Sequence, residues 1–407
     1  MNTNQPSGSF KGTKTSRRGS NQRGMRNYNE RLILETIREH GELSKADLAK
    51  ITGLSPQTST IIANRLIEDG LLCKLRSVKG KVGQPRTPIS LDASGAYSFG
   101  IKVGRRSVEI FLVDFCYGII EQKSLRYKFA EPQPIFEWLC ENISEIIARL
   151  GEGKSSRILG IGLAQPFELE NWPELIGAPA GTMESWKNFD LRNEIFTATQ
   201  LPTFLLNDAS AACLAELSLQ IEGSPASFLY VYLGTFIGGG VVIEGKLLEG
   251  STGNAGALAS LPLNLFRSPQ AQSGQLLEKA SFNSLELWAA QQGLDADFLS
   301  KAPLTVEVET QVTQWISEAA NGIAMAIIAG QAILDMNYVV LDSSLPQHLK
   351  ERVASSTETA LAQYDQRGIS RPILTLGTLG NNARALGAAL LPFRANFSAD
   401  EAAFAIS

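Results

Sequence analysis

Gln57, Thr60 and Asn64 stand three and seven residues apart, with Thr58 among them. On an α-helix that spacing gathers the three on one face. Short uncharged polar side chains on one helix face both donate to and accept from base edges, and this is the chemistry of major-groove reading. Lys45 and Ser55 border the same stretch and join the candidate DNA contacts. Further on, Lys79-Gly80-Lys81-Val82-Gly83-Gln84-Pro85-Arg86 is basic and Gly-rich, and Lys79, Lys81, Gln84 and Arg86 are suited to phosphates or a minor groove. Metal chemistry has little to work with. The two histidines (His40, His348) and four cysteines (Cys73, Cys116, Cys140, Cys213) form no cluster of the four Cys/His ligands a tetrahedral zinc site generally takes.

The elements that must position these groups follow from local signals. Leu32, Ile33, Thr36 and Ile37 give one helix an apolar face, and that helix stops near Gly41. Ser44 is a good N-cap, with Asp47 three residues on, for a second helix carrying Ala46, Leu48, Ala49 and Ile51. Gly53 supplies the tight turn. Ser55-Pro56 starts a third helix twice over, as N-cap and as proline at the first helical position; it runs to about Asp69 and buries Ile62, Leu66 and Ile67. Gly70-Leu71-Leu72 then leads into a hairpin whose basic tip is a wing. Residues 27–92 thus read as a winged helix-turn-helix that binds double-stranded DNA; the alternative is a winged helix that docks a protein. Residues 1–26 hold six Lys/Arg and no acids, a flexible basic arm that either attracts phosphates or is an unstructured terminus with incidental charge.

From Ala93 the pattern changes. Ser98–Val103, Ser107–Asp114 and Gly118–Tyr127 read as strands, followed by a helix over Phe136–Leu150, strands at Ile158–Leu163 and Thr203–Leu206, a helix near Leu191–Thr199, one after Asp208, and strands at Leu229–Leu233 and Gly239–Ile243. That order predicts α/β sheet lobes with helices on their faces and a ligand where strand ends meet a cleft. Residues 1–92 carry 16 Lys+Arg against 8 Asp+Glu, or +8, and the other 315 residues carry 21 against 33, or −12. A basic head therefore precedes a body that polyanions repel. With 44% apolar and 19% charged residues, wholesale disorder, collagen-like repeats and a disulfide scaffold are excluded. The start lacks an apolar stretch and no segment approaches the roughly 18 apolar residues of a membrane span, so a cytoplasmic protein with no membrane partner is expected.

Leu205-Leu206-Asn207-Asp208-Ala209-Ser210-Ala211-Ala212, Gly234-Thr235-Phe236-Ile237-Gly238-Gly239-Gly240 and Gly253-Asn254-Ala255-Gly256 together resemble the ROK family of sugar kinases and sugar-responsive repressors. The resemblance spans roughly residues 27–395 and includes the repressor branch's order of winged helix before kinase-like body. It implies a two-lobed actin/hexokinase-like (ribonuclease H-like) body: lobe I over 93–206, completed by a C-terminal helix at 385–407, and lobe II over 207–384.

Position by position, the resemblance implies a body without catalysis. The kinases' first phosphate loop, Asp-x-Gly-Gly-Thr-like, is here Lys102-Val103-Gly104-Arg105-Arg106, and their paired glycines appear as Asp342-Ser343-Ser344, so ATP should fit poorly. The Gly234–Gly240 run resembles the second phosphate loop, with a structural turn as the alternative. Asp208 falls on the kinases' catalytic base; in the repressor branch Asn207 and Asp208 look like a sugar-hydroxyl clamp, and the plain alternative is that Asp208 caps the helix that follows. The family's Gly-Glu-x-Gly-His motif is Gly256-Ala257-Leu258-Ala259-Ser260, with no cysteines after it, so its structural zinc is expected to be absent. Glu278 resembles a later sugar-touching Glu, or is an exposed helix-start carboxylate; Gln165 replaces a cleft glycine, and Asn254 completes the candidate ligand set. The sequence thus predicts a transcriptional regulator, a repressor of carbohydrate genes, with a sugar-like inducer, no catalytic residues, no cofactor, and a homodimer or dimer of dimers. The rivals are a sugar kinase using Asp208 and a regulator whose body docks a protein.

Overall fold

The computed structural model describes residues 22–76, 87–167, 169, 170, 173, 175–179, 181–219, 225–263, 274–295, 298–300 and 304–399. The chain opens with α1 (Gln22–His40), α2 (Lys45–Thr52) and α3 (Pro56–Glu68), then β1 (Leu72–Lys74) and β2 (Ile89–Leu91). Extended Ser44 accepts from the Asp47 amide and extended Ser55 from the Thr58 amide, while Gly53 closes α2 at φ 69. Ile33, Ile37, Leu48, Ile62 and Leu66 meet Leu72 and Ile89 in one apolar cluster. β1 and β2 pair antiparallel, Leu72 opposite Leu91, and Leu43 bridges to Ile89.

One expectation needs correction here. Helix α1 begins at Gln22, inside the stretch read as a flexible arm. Ala46 and Ile51 of α2 are exposed, because the helix has only eight residues and its buried stripe is centred between Leu48 and Ala49. At about 100° per residue, both lie a quarter-turn or more from that centre.

The first body sheet is built from β3 (Tyr97–Val103), β4 (Ser107–Asp114) and β5 (Ile119–Arg126), an antiparallel meander. After α4 (Pro132–Leu150) and α5 (Glu152–Ser155), β6 (Ile158–Ala164) joins parallel to β3; after α6 (Leu191–Thr199), β7 (Thr203–Leu206) joins parallel to β6. The order is β5-β4-β3-β6-β7. Helix α7 (Asp208–Ser218) leads to β8 (Phe228–Leu233), β9 (Gly238–Ile243) and β10 (Lys246–Leu247), and then α8 (Leu276–Ala280), α9 (Asn283–Gln291) and α10 (Val306–Leu334). β11 (Tyr338–Ser343), α11 (Gln347–Leu361) and β12 (Ile373–Leu376) finish the second sheet, ordered β10-β9-β8-β11-β12, and α12 (Ala383–Phe397) follows. The plan is used twice. Each sheet is an antiparallel meander extended by two parallel strands.

Every residue of β3 is buried, since α4 and α6 cover one face of its sheet and α12 the other. Glycines let α12 sit directly on that sheet: a Cβ at Gly100 would lie 2.0 Å from Ala385 O and one at Gly162 1.7 Å from Ala388 O. Helix α10 is, among the described residues, the one helix long and apolar enough to cross a membrane by length and composition, which the sequence reading had not expected. Its Val312, Trp315, Ile316, Ile323 and Ile327 are used instead in the core of the second sheet.

Candidate functional site

A cleft of about 1370 Å³ opens between the two sheets, lined by the β3–β4 turn, the ends of β6 and β7, the head of α7, the β8–β9 turn, α9 and the start of α12. At the head of α7 the capping question is settled in favour of Asn207. Its Oδ1 accepts from the Ala209 and Ser210 amides at 3.0 and 3.3 Å, so the Asp208 carboxylate is free of capping and lies 3.7 Å from Arg384. Asn207, Asp208 and Asn254 all line the cleft.

Two other candidates do not. Gln165 spends its backbone amide on Leu206 O at 3.1 Å, and its successors Pro166 and Phe167 form the wall. Glu278 is exposed, because α8 buries Leu276, Leu277 and Ala280 and so turns Glu278 and Lys279 outward; Leu277 reaches the cleft in its place.

The β3–β4 turn carries most of the charge. Lys102, 3% exposed, donates to Ser107 Oγ at 2.6 Å and Glu109 at 2.9 Å. Burial, helped by the nearby Arg384 charge, brings its ammonium down to about 8 although Glu109 opposes the shift. Arg105 stacks on Phe236 at 4.1 Å. Arg106 donates to Lys128 O and, at 2.9 Å, to Ile176 O, and it faces Glu286 at 3.8 Å. Glu286 was not foreseen from the sequence. Burial pushes its carboxyl above the ordinary range, with Arg106 and a Thr235 hydroxyl bond at 3.3 Å pulling the other way.

At the end of β11, Asp342 is fully buried and accepts from Tyr230 OH at 3.2 Å, Lys350 Nζ at 3.2 Å, and the Ser343 and Gly380 amides at 2.8 and 2.9 Å. Lys350 also donates to Gly377 O at 2.7 Å. An internal ion pair therefore fills this strand end. The glycine run on β9 has a packing role: a Cβ at Gly238 would meet Ala209 Cβ at 2.6 Å, and one at Gly240 would meet Cys213 Cβ at 2.5 Å, so the run lets α7 approach the sheet.

The second candidate surface is α3. Gln57 and Asn64 are exposed, Thr58 and Thr60 half-buried, and Lys45 reaches across from α2 to donate to Asn64 Oδ1. Ser55 is committed to the helix start, bonded to the Thr58 amide at 3.1 Å and its hydroxyl at 2.8 Å. Ile61, 59% exposed, lies among Gln57, Thr60 and Asn64; no sequence signal marks it, and an exposed apolar group there suits a thymine methyl. Lys79, Lys81, Gln84 and Arg86 lie outside the described residues.

Helix α12 runs from the cleft to α1 of the winged helix. Arg384 at its start lines the cleft, while Phe393 and Phe397 near its end pack on Phe115 at 5.9 and 4.9 Å. Over the thirteen residues between Arg384 and Phe397 the helix rises about 20 Å. Just beyond it, Ser398 Oγ and the Ala399 amide both donate to Glu35 of α1 at 2.9 Å, and Arg31 donates to Ser398 O at 3.0 Å. Arg38 of α1 donates to Phe115 O at 2.8 Å with its guanidinium 3.9 Å over the Tyr117 ring. The head and the body share one apolar cluster across this contact.

The model of the ROK family matches residues 98–394, and that of the winged helix-turn-helix DNA-binding group matches residues 26–72. The chain belongs to the ROK family. A xylose repressor of Bacillus spizizenii is 24% identical over 379 residues, covering 89% of this chain and 94% of the repressor, and an uncharacterized protein of Sinorhizobium fredii is 27% identical with 90% of both chains covered. Among solved structures, a ROK family transcriptional regulator described as a homolog of the Escherichia coli MLC protein superposes with a TM-score of 0.65 at 18% identity, covering 91% of this chain and 96% of its own. A ROK family glucokinase from Streptomyces griseus, solved with glucose and AMPPNP, gives 0.52 at 17% identity over 73% of this chain and 99% of its own. The ROK body here thus has the two-lobed actin/hexokinase-like fold.

Proposed function

We infer that this ROK protein is a sequence-specific DNA-binding transcriptional repressor of carbohydrate metabolism or transport genes. Its body senses a sugar or sugar derivative in the cleft and does not phosphorylate it. The observation that carries the reading is α12, a continuous helix, interrupted in its ladder only by Pro392, with one end in the cleft and the other against the winged helix. A ligand held by Asn207, Asp208 and Asn254 touches the Arg384 end, and any tilt of α12 reaches α1 through Phe393, Phe397 and the Glu35 contacts. The ligand acts only as far as it binds the two lobe arrangements unequally. Two recognition helices on half-sites about 34 Å apart, or a multiple of that, call for a homodimer or a dimer of dimers.

The absence of turnover is supported by two substitutions with visible consequences. Lys102 places a buried ammonium, tied to Glu109, at the kinases' carboxylate position, and the Asp342–Lys350 pair fills the strand end where the kinases keep paired glycines. Neither leaves the open, anionic-metal-binding arrangement that phosphoryl transfer uses. No cofactor forms part of this reading. A coupled nucleotide-consumption assay over a panel of hexoses, pentoses and aminosugars is expected to show no turnover in the presence of magnesium and ATP. Turnover that Asp208→Asn abolishes would replace this reading with a sugar kinase.

A further inference from the structure

Among the charged groups that line the cleft, three carboxylates each lie within 4 Å of a cation. Glu109 takes the Lys102 ammonium at 2.9 Å, Glu286 lies 3.8 Å from Arg106, and Asp208 lies 3.7 Å from Arg384. Arg105 is in none of these pairs. Its side chain is 8% exposed, its contact is the Phe236 ring at 4.1 Å, and its buried Nε has no acceptor among the described residues. Arg384 is half-served in the same way: its Nε is also buried without an acceptor, and its distance to Asp208 exceeds a hydrogen bond.

A guanidinium cannot escape burial by shedding its proton at neutral pH; burial brings Arg105 down only to about 10. A buried cation whose Nε lacks an acceptor is unfavourable, and one aromatic face offsets only part of that. Arg105, Arg384 and Asp208 all line the cleft, and both guanidinium groups feel the Asp208 charge. This surplus sits in a body whose residues after 92 carry −12 overall, so it is not the overflow of a generally basic surface.

We propose that the effector is an anionic saccharide whose carboxylate or phosphate is received by Arg105, with the open edge of Arg384 beside it, while Asn207 and Asp208 hold its hydroxyls. The planar guanidinium fork matches either oxyanion in two parallel hydrogen bonds, and both bonds form only once the ligand is in place. This rests on the reading of the cleft as a sugar sensor and adds the chemical class of the sugar.

The test is calorimetric titration of the full chain at fixed ionic strength with matched series: glucose, galactose, mannose and xylose, their uronic or aldonic acids, their phosphate monoesters, and inorganic phosphate alone. At least one acidic member is expected to bind on the order of thirtyfold or more tightly than its neutral parent. Whether the uronates and aldonates or the phosphates show the gain identifies the oxyanion. Arg105→Met should remove that margin, so that acidic member and neutral parent bind alike. The same variant should melt at a higher temperature than wild type without ligand, because a buried unpaired charge has gone; this also checks that it folds. A neutral sugar binding as well as its acids, inorganic phosphate binding as tightly as a sugar phosphate, a margin that survives Arg105→Met, or a lower melting temperature for the variant would each overturn the proposal. Silence of every saccharide, neutral and acidic, would remove the sugar-sensing reading itself, whereas binding of neutral members alone would remove only this inference.

Discussion

Lys350→Met is expected to destabilise the protein by about 3–5 kcal/mol, because it strands the Asp342 carboxylate in a site with no access to water. Asp342 would keep the Tyr230 hydroxyl and the Ser343 and Gly380 amides as donors, so the loss is of charge balance rather than of every hydrogen bond. The second variant, Asp342→Asn with Lys350→Met, retains an acceptor and removes both charges, and it should recover more than half of the loss. Chemical denaturation midpoints of the two variants decide the matter. A single substitution that costs under about 1 kcal/mol would mean that water reaches the pair, and the claim that this strand end is closed to a nucleotide would fall with it.

The second large effect is on DNA. Gln57→Ala and Asn64→Ala are each expected to weaken operator binding by about 1–3 kcal/mol, with little change on random duplex. They are two turns apart on α3 and should act almost additively. Lys45 enters differently, since it donates to Asn64 and carries a charge: Lys45→Ala should weaken both duplexes and lower the salt slope by about one. Fluorescence anisotropy at several salt concentrations separates these behaviours. Equal losses on operator and random DNA for Gln57→Ala and Asn64→Ala would show that α3 does not read bases.

What was legible in the sequence was local. Ser44, Gly53 and Ser55-Pro56 announce their helix ends because each acts within three residues of itself, and the alternating strands of the first sheet carry their own period. Errors arose where a face is chosen by a distant partner. Ile67, expected on the buried face of α3 with Ile62 and Leu66, is only half-buried, and the exposed Ile61 carried no signal in the sequence. In the candidate site, Asn207, Asp208 and Asn254 could be placed because they lie in runs resembling family motifs. Gln165 and Glu278 failed because a neighbour one position away faces the cleft instead. Glu286 and Arg384 had no signal, since each matters through a partner more than a hundred residues distant in sequence. The contact of Glu35 and Arg38 with the end of α12 and with Phe115 is of the same kind, and it is the part on which regulation depends.

That contact gives the most direct measurement. An operator selected from a random duplex pool is titrated with wild type and with Arg38→Met, each with and without the saccharide that most stabilises the protein. Wild type should change its operator affinity roughly tenfold or more on adding the saccharide. Arg38→Met, which lacks the bond to Phe115 and the stack on Tyr117, should bind operator and saccharide normally yet respond about threefold or less. A full response in Arg38→Met, or no response in wild type at saturating saccharide, would contradict the transmission of cleft occupancy through α12 to the DNA-binding head.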